Sequence, residues 1–210
     1  MYVTEIFRSI QGESTFAGKP CTFVRLTGCN LRCQWCDTAY AFKGGREMSI
    51  DDILAEIIRF PLDLIEITGG EPLRQADTPL LCRAIAQKGA SVLVETNGSF
   101  DISVLPEGVI RIVDVKCPSS GESESFDVDN LNRLKPYDQM KFVIADRSDF
   151  DWAVDFAQRS ALFEREVLFA PVFTRLQPKQ LAEWILESGL PARLQLQLHR
   201  LIWEPSRRGV

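Results

Sequence analysis

The chain has 210 residues and a formal net charge of -5, with 45% hydrophobic and 25% charged residues. This composition is typical of one globular domain with a sizeable core and excludes disordered, collagen-like and low-complexity classes. No apolar run reaches the roughly 18 residues of a membrane span, and the negative charge argues against nucleic-acid binding. The first residues lack the pattern of a secretory signal, so we expect a cytoplasmic protein. From the chain length we expect a single domain over residues 1–210.

Short β-branched runs alternate with amphipathic runs, which is typical of β/α units and a parallel sheet. The N-terminal segment EIFRSIQGES precedes the first predicted strand, Cys21–Leu26, and its IQGE run at residues 10–13 has the composition of a polar turn. A helix capped by Ser49 follows a cysteine-rich loop and ends before Pro61. Further strands are predicted at Leu64–Thr68, Ser91–Glu95, Ile110–Val115, Met140–Ala145, Val167–Ala170 and Leu194–Leu198. Further helices are predicted at Thr78–Lys88, Asp149–Arg159 and Pro178–Ser188, with a loop over Pro118–Asp129.

Six or seven strands fall short of the eight units and roughly 250 residues of a closed TIM barrel. We therefore predict an α/β fold, an incomplete TIM-type barrel of about six parallel strands with outer helices. In such folds the chemistry lies at the carboxyl ends of the strands. The loops there read GCNLRCQWCDT, TGGEP, ETNG and KCPS after the first four predicted strands.

Six cysteines are too few for a disulfide scaffold, and a cytoplasmic protein is reduced. The isolated Cys21 and Cys82 are predicted to be small buried hydrophobes. Cys29, Cys33 and Cys36 instead form C-x3-C-x2-C and indicate an inorganic centre. A structural zinc site needs four ligands, and the only histidine lies more than a hundred residues away. An iron–sulfur cluster with three thiolate ligands leaves one iron open for a substrate or cofactor.

The cysteine run, with Trp35 before its last cysteine, resembles the motif of the radical S-adenosylmethionine superfamily, and TGGEP resembles that superfamily's GGE loop. The resemblance implies that the three cysteines hold a [4Fe-4S] cluster whose fourth iron chelates S-adenosylmethionine. Reduction then yields a 5′-deoxyadenosyl radical that abstracts hydrogen from the substrate. The implied contacts with S-adenosylmethionine are Trp35, Gly70, Cys117, Pro118, Ser119 and Lys141. Some members have Ser-Pro-Lys where this chain has Cys-Pro-Ser, so a buried thiol is an equal alternative for Cys117.

IQGE at residues 10–13, FVRLTGCN, VETNG and QLHR resemble segments of the 7-carboxy-7-deazaguanine synthase family, and the match runs from about residue 5 to the end. The resemblance implies conversion of 6-carboxy-5,6,7,8-tetrahydropterin to 7-carboxy-7-deazaguanine with loss of ammonia, a carbon–nitrogen lyase step toward queuosine. It also implies Mg²⁺ as a cofactor, a flavodoxin or ferredoxin as electron donor, and a homodimer. An N-terminal substrate segment (about 1–20) and a C-terminal tail (about 199–210) are expected, and the basic tail with Arg207 and Arg208 either covers the anionic site or is solvated.

The same resemblance implies a substrate site formed by Ile10, Gln11, Gly12, Glu13, Arg25, Thr68 and His199, with Thr38 as the Mg²⁺ ligand. Amide and carboxylate groups suit the ring edge of a pterin, and a guanidinium suits its carboxylate. Each assignment has a structural alternative. IQGE is then a turn, Arg25 a solvated surface arginine, and His199 a structural histidine. Thr38 with Asp37 is alternatively a helix cap.

Two other functions remain open from the sequence. A glycyl-radical-enzyme activase shares the cysteine motif and the cofactor but acts on a protein backbone, and IQGE and QLH argue against it. A noncatalytic zinc-binding module would use the cysteines without radical chemistry. Iron and sulfide analysis separates this module from the cluster-binding enzymes.

Overall fold

Strands and helices alternate along the computed structural model, which describes residues 1–61, 63–204 and 208–209. The strands of this part are β1 (Tyr2–Ile10), β2 (Pro20–Leu26), β3 (Arg46–Glu47), β4 (Leu64–Gly69), β5 (Ser91–Thr96), β6 (Ile110–Val115), β7 (Gln139–Ile144), β8 (Glu166–Pro171) and β9 (Arg193–Leu194). Its helices are α1 (Ile50–Ile57), α2 (Thr78–Ala86), α3 (Asn130–Arg133), α4 (Arg147–Arg159), α5 (Pro178–Ser188) and α6 (Leu198–Ile202). None of these helices is long and apolar enough to cross a membrane.

The strands form one sheet in the order β3-β1-β2-β4-β5-β6-β7-β8-β9. From β2 to β9 every neighbouring pair is parallel, whereas β1 is antiparallel to both β2 and β3. The two edge strands do not pair with each other, so the barrel is open. Seven parallel strands with helices between them confirm the predicted incomplete barrel.

Successive side chains of each parallel strand point alternately toward the outer helices and toward the barrel interior. On β4, Ile65 and Ile67 belong to the core shared with α1 and α2, whereas Glu66 and Thr68 line an interior cavity. An apolar layer closes the barrel interior below that cavity and contains Cys21, Phe23, Leu64, Leu93 and Ile112. Two positions beyond Leu64, Leu93 and Ile112, the inward residues of β4, β5 and β6 are acidic. These residues are Glu66, Glu95 and Asp114, and they form a layer of carboxyl groups above the apolar layer.

The prediction that Cys21–Leu26 is the first strand is wrong, because the N-terminal segment forms β1 up to Ile10. Its pairing with β2 includes Glu5 opposite Arg25 and Ile10 opposite Pro20. Val3 is fully buried, but the polar residues of this strand hide the apolar alternation from sequence reasoning. The true turn begins after β1, where the Gln11 N–H donates to the carbonyl of Lys19 at 2.8 Å.

The predicted strand at Leu194–Leu198 is also wrong, because β9 ends at the first of these residues and α6 begins at the last. The alternating Leu-Gln pattern is typical of a strand. Here, however, Gln195 and Gln197 donate through their side chains to Glu13, and the first N–H of α6 donates to the Gly12 carbonyl at 3.0 Å. These contacts hold the segment against the N-terminal turn, so both ends of the chain meet at the barrel mouth.

The predicted helices are confirmed with small changes at their ends. α1 begins with a capping box, in which Ser49 Oγ accepts from the Asp52 N–H at 3.1 Å and the Asp52 carboxylate accepts from the Ser49 N–H at 3.1 Å. The ends of α2, α4 and α5 lie within two residues of the predicted ends. The helices therefore start where local capping and amphipathic pattern place them.

Candidate active site

A cavity of about 800 Å³ opens at the carboxyl ends of the parallel strands, a volume typical of ligand pockets. The predicted site residues in its lining are Gln11, Gly12, Glu13, Arg25, Cys29, Cys33, Trp35, Cys36, Thr38, Thr68, Gly70, Lys141 and His199. Four predicted site residues lie outside the lining, namely Ile10, Cys117, Pro118 and Ser119. The topology thus brings residues from both ends of the chain to the cysteine loop.

The cysteine loop lies between β2 and the 3-10 turn Ala39–Phe42. Cys29, Cys33 and Cys36 are partly exposed free thiols that face the cavity. Among the described residues, no three Cys, His, Asp or Glu side chains surround a position for a single metal ion. The three ligands of a [4Fe-4S] cluster bind different irons and need not converge on one point. Burial raises the pKa of Cys33 to about 11, so cluster assembly, which requires thiolates, releases protons.

The GGE loop packs directly on the cysteine loop. The Gly70 N–H donates to the Leu26 carbonyl at 3.2 Å, and the Glu71 N–H donates to the Gly28 carbonyl at 2.8 Å. A Cβ atom at Gly70 would collide with the Gly28 carbonyl and lie 2.8 Å from Cys29 Cβ. Only glycine fits this close approach of the two loops, and Gly70 also lines the cavity.

The carboxylate of Glu71 holds loops together and does not line the cavity. The side chain is fully buried and accepts hydrogen bonds from the Leu73 N–H at 2.9 Å, the Asn97 N–H at 2.7 Å and the Thr96 hydroxyl at 2.8 Å. It therefore connects the loop after β4 to the loop after β5. Sequence reasoning recognised the GGE motif but not this internal use of its acid.

A network of charges forms the floor of the cavity. Lys141 Nζ, on a side chain that is only 5% exposed, lies 2.6 Å from Glu13 Oε2, 2.5 Å from Glu95 Oε1 and 3.4 Å from Asp114 Oδ2. Asp114 also pairs with Lys116 at 2.9 Å. Burial alone would lower the pKa of Lys141, but the three carboxylates raise it well above its usual value. The assignment of Lys141 to S-adenosylmethionine stays a prediction, beside this observed contact with Glu13.

Glu13 is ionised and held on both oxygens. Gln195 donates to Oε2 at 2.9 Å and Gln197 donates to Oε1 at 3.0 Å. Burial alone would raise the pKa of Glu13, but Lys141 and His199 lower it below its usual value. Burial in turn lowers the pKa of His199. The N-terminal turn therefore presents a fixed carboxylate to the cavity.

Glu66, which sequence reasoning missed, lies beside this turn. Its side chain accepts a short hydrogen bond from Gln11 Nε2, and Gln11 Oε1 accepts from the Glu13 N–H at 3.0 Å. Glu66 is 3% exposed and lines the cavity. Burial raises its pKa well above the usual value, and the carboxylates of Glu95 and Glu13 raise it further.

The solvated-surface alternative for Arg25 is wrong. Its side chain is 17% exposed, and Nε donates to Glu5 Oε1 at 2.7 Å. The guanidinium lies over the rings of Phe7 and Tyr40, with centroid distances of 5.7 and 5.9 Å. Thr68 occupies the neighbouring position on β4. The arginine is thus fixed at the cavity wall.

Thr38 occupies the N-cap position of the 3-10 turn Ala39–Phe42, as the helix-cap alternative expects, but its side chain makes no capping bond. Its hydroxyl donates to Asp37 Oδ1 at 2.8 Å, and Arg200 donates to Asp37 Oδ2 at 2.8 Å. In the tail, Arg208 lies 4.3 Å from the centroid of the Tyr40 ring and lines the cavity. Arg207 lies outside the described residues.

Cys117 is a buried thiol, 1% exposed, in the core cluster between β6 and α4. The next residues face α4 too, because the Ser119 N–H donates to the Asp149 carboxylate at 3.0 Å. In this loop Lys116 lines the cavity instead. Contacts of Cys117, Pro118 and Ser119 with a cofactor stay predictions. Cys21 and Cys82 are buried as predicted.

Sequence reasoning missed several cavity residues on strands, which are Phe7, Phe23, Glu66, Glu95 and Asp114. A signal for the acids was present. Each lies inside a mainly apolar strand, in the runs LIEIT, VLVET and IRIVDV. A charge in the middle of a buried strand indicates a polar site at that level of the barrel.

An open barrel with three thiols beside a glycine-lined cavity is the architecture of a radical S-adenosylmethionine enzyme, and residues 23–117 match the family model described as the Radical SAM superfamily. Enzymes of this superfamily use a [4Fe-4S] cluster and S-adenosylmethionine. The chain is 48% identical to the 7-carboxy-7-deazaguanine synthase of Koribacter versatilis over the full length of both proteins. It is 44% identical to that of Chlorobaculum tepidum, over 99% of this chain and 96% of the relative. The chain belongs to the 7-carboxy-7-deazaguanine synthase family.

The fold has a solved counterpart in the crystal structure of QueE from Escherichia coli. The TM-score is 0.77, and the match covers 93% of each chain at 24% sequence identity. This likeness supports the barrel architecture alone. The assignment to the family comes from the full-length sequence matches.

Proposed function

We propose that the chain converts 6-carboxy-5,6,7,8-tetrahydropterin to 7-carboxy-7-deazaguanine with release of ammonia, as a step toward queuosine. One observation carries the proposal. The cavity that contains the cysteine thiols also contains a fixed guanidinium, Arg25, and a fixed carboxylate, Glu13. A flat substrate with a carboxylate and ring N–H groups matches this pair.

On one side of the cavity, Cys29, Cys33 and Cys36 would hold the [4Fe-4S] cluster, and Gly70 and Trp35, which line the cavity, would contact S-adenosylmethionine. Soft thiolate ligands suit an iron–sulfur cluster. When bound, the two groups supply a 5′-deoxyadenosyl radical for hydrogen abstraction. The chain orients the substrate and excludes water.

On the other side, Arg25 would bind the substrate carboxylate with its free guanidinium N–H groups, because its Nε is already bonded to Glu5. Glu13 would accept from ring N–H groups, and the backbone from Ile10 to Gly12 and the side chains of Thr68 and His199 would complete the ring contacts. We assign Mg²⁺ to Thr38. A threonine hydroxyl is a hard oxygen ligand, and Mg²⁺ would complete its shell with substrate oxygens and water.

The domain organisation in this proposal is one domain over residues 1–210, with a substrate segment at about 1–20 and a tail at about 199–210. The hydrogen bond between the first residue of α6 and Gly12 supports a joint role of the two ends. Cys117, Pro118, Ser119 and Lys141 remain proposed contacts with S-adenosylmethionine. A flavodoxin or ferredoxin as electron donor, a homodimer and a cytoplasmic location complete the proposal.

The test is anaerobic turnover of the cluster-loaded protein with dithionite, S-adenosylmethionine and the pterin. We expect 7-carboxy-7-deazaguanine by mass detection, together with released ammonia. No product from protein with four irons and four sulfides per chain would contradict this function but not the superfamily. Turnover of S-adenosylmethionine only in the presence of a protein substrate would favour an activase instead.

A further inference from the structure

Glu66 differs from the other carboxylates on the cavity floor because no cation in the described part of the chain forms an ion pair with it. Lys141 pairs with Glu13, Glu95 and Asp114, but none of the ion pairs in the described part of the chain includes Glu66. The polar partner of Glu66 is the Gln11 amide. A buried carboxyl group without a cation retains its proton, because burial disfavours the charged form.

Charged and titratable groups face Glu66 from several elements. Glu13 comes from the N-terminal turn, Glu95 from β5 and Lys141 from β7, and the Cys21 thiol lies on the neighbouring β2. The two carboxylates oppose ionisation of Glu66, whereas Lys141 favours it and is already paired with both of them. The raised pKa of Glu66 agrees with this geometry.

The Gln11 amide fixes how the Glu66 carboxyl group is oriented. Because Gln11 Oε1 accepts from the Glu13 N–H, its amide nitrogen must point to Glu66, and it donates to Oε2. Oε2 therefore acts as an acceptor, and the proton belongs on the other oxygen. A carboxyl group held in this way offers one donor and one acceptor, whereas the Glu13 carboxylate offers only acceptors.

We propose that Glu66 is a specificity-determining residue that binds the pterin as a neutral carboxyl group, at a ring edge with one acceptor and one donor. Glu13, as an anion, then binds an edge with two donors. This inference rests on the proposed function. It adds to the substrate site a second carboxyl group, Glu66, which is protonated where Glu13 is ionised. Adjacent groups with separated pKa values are a common way to divide such roles.

The experiment measures the Kd of 6-carboxytetrahydropterin for the cluster-loaded protein with S-adenosylmethionine, anaerobically and without reductant, across neutral and alkaline pH. Glu66→Leu should weaken binding about tenfold or more, because polar groups of the ring lose their partner. Glu66→Gln keeps one donor and one acceptor and should restore most of the lost affinity. Glu107→Gln, an exposed glutamate outside the cavity lining, is the matched control and should not change the Kd.

The pH profile gives a second readout. Wild-type affinity should fall as pH rises and Glu66 ionises, whereas the Glu66→Gln variant cannot lose this proton. Titration of the substrate itself affects both proteins equally, so the ratio of the two Kd values isolates Glu66. This ratio should change with pH even if the Glu66→Leu variant fails to fold.

Two results would overturn the inference. If Glu66→Gln bound the pterin as weakly as Glu66→Leu, the bound form would be the carboxylate. If Glu66→Leu bound with wild-type affinity, Glu66 would not contact the substrate. Either result in an enzyme whose wild type makes product leaves the proposed function intact, whereas a wild type that neither binds nor converts the pterin contradicts both.

Discussion

The two sides of the cavity are built in different ways. The cofactor side, defined as the loops Cys29–Cys36 and Gly69–Glu71, is held by backbone contacts between two neighbouring loops. The substrate side, defined as Arg25, Glu13 and Glu66 with the residues that hold them, is made of side chains from strands and from both chain ends. Lys141, a proposed contact of S-adenosylmethionine, pairs with Glu13 and so lies between the two sides. The backbone contacts on the cofactor side require glycine at Gly70, where a Cβ would collide with the next loop. The side-chain contacts on the substrate side require that acidic groups such as Glu13 have a cationic partner.

This difference determines how each side tolerates change. A substitution on the cofactor side moves a loop or removes a ligand, so it should affect every activity that needs S-adenosylmethionine. A substitution on the substrate side changes charge and hydrogen bonding while the cluster stays in place. Measuring S-adenosylmethionine cleavage and product formation on the same preparation separates the two classes.

The largest effect is expected for the cysteines. Replacing Cys29, Cys33 or Cys36 by Ala should abolish both the cluster and turnover, because each thiolate holds a different iron. Cys82→Ala is the control, since this buried thiol lies in the helix-side core and should keep full iron and sulfide content. Full cluster content in Cys33→Ala would refute the ligand assignment.

Gly70→Ala should nearly abolish S-adenosylmethionine binding. The added Cβ would collide with the Gly28 carbonyl and crowd Cys29, both of which belong to backbone-held loops that cannot move aside cheaply. Equilibrium binding of S-adenosylmethionine to the cluster-loaded protein measures the effect. Gly89→Ala, where a Cβ meets no atom within 4 Å, is the control and carries only the strain of a positive φ. Unchanged affinity in Gly70→Ala would show that the two loops are looser than their contacts imply.

Glu13→Gln should separate the two sides most clearly. The cluster and the slow cleavage of S-adenosylmethionine without substrate should persist, because the cofactor loops do not contact this residue. The kcat/KM for product formation should fall by a factor equivalent to about 1.5–3 kcal/mol, because Gln replaces a charged acceptor with an N–H donor that faces the ring N–H groups. Both activities are measured on one preparation. Product formation at the wild-type rate and affinity would mean that Glu13 is only a turn residue.

Arg25→Lys keeps the charge but loses the planar guanidinium. Substrate binding should weaken by about 1.5–3 kcal/mol, the value of one charge-assisted hydrogen bond, while S-adenosylmethionine binding should survive. The readout is the KM for the pterin, with S-adenosylmethionine affinity as the internal control. If the KM did not change, the arginine would serve only to pair with Glu5.

The sequence predicted the cofactor side better than the substrate side for a physical reason. The cysteine spacing and TGGEP are local patterns, and the parallel strands place both at one edge of the sheet. Glu66, Glu95 and Asp114 are separated by many residues and meet only through strand register. The protonation state of each carboxyl group depends on whether it pairs with Lys141, as Glu95 and Asp114 do and Glu66 does not. A local sequence pattern contains no information about that pairing.

The secondary structure shows the same difference between features set by local sequence and features set by distant contacts. The parallel strands and capped helices follow from local apolar runs and were predicted within a few residues. The strand β1 was missed because its polar residues hide the apolar alternation and its partners β2 and β3 lie further along the chain. The helix α6 was missed because its position is fixed by a contact with the N-terminal turn. The Leu-Gln alternation at residues 194–198 is locally that of a strand, and only the distant Glu13 gives the two glutamines a different partner.

The smallest effect is a pH-dependent difference in stability between two glutamate variants. The folded-state pKa of Glu66 is raised above the unfolded value, so the cost of keeping its proton grows as pH rises above the usual value of 4.5. Glu66→Gln removes this cost and should unfold at a higher temperature than wild type at neutral pH but at the same temperature near or below pH 4.5. Each kcal/mol corresponds to about 2–4 °C for a chain of this size.

For Glu13→Gln, the change in unfolding temperature relative to wild type should have the opposite sign, because the folded-state pKa of Glu13 is lowered. Its carboxylate stabilises the fold above the unfolded pKa, and this contribution is lost as pH falls through the folded value. The variant should therefore be less stable than wild type at neutral pH and approach it in acid. Thermal unfolding of cluster-loaded wild type, both variants and Glu107→Gln across this pH range gives the comparison. Shifts of the same sign in Glu13→Gln and Glu66→Gln would mean that the cavity floor does not hold its two carboxyl groups in opposite protonation states.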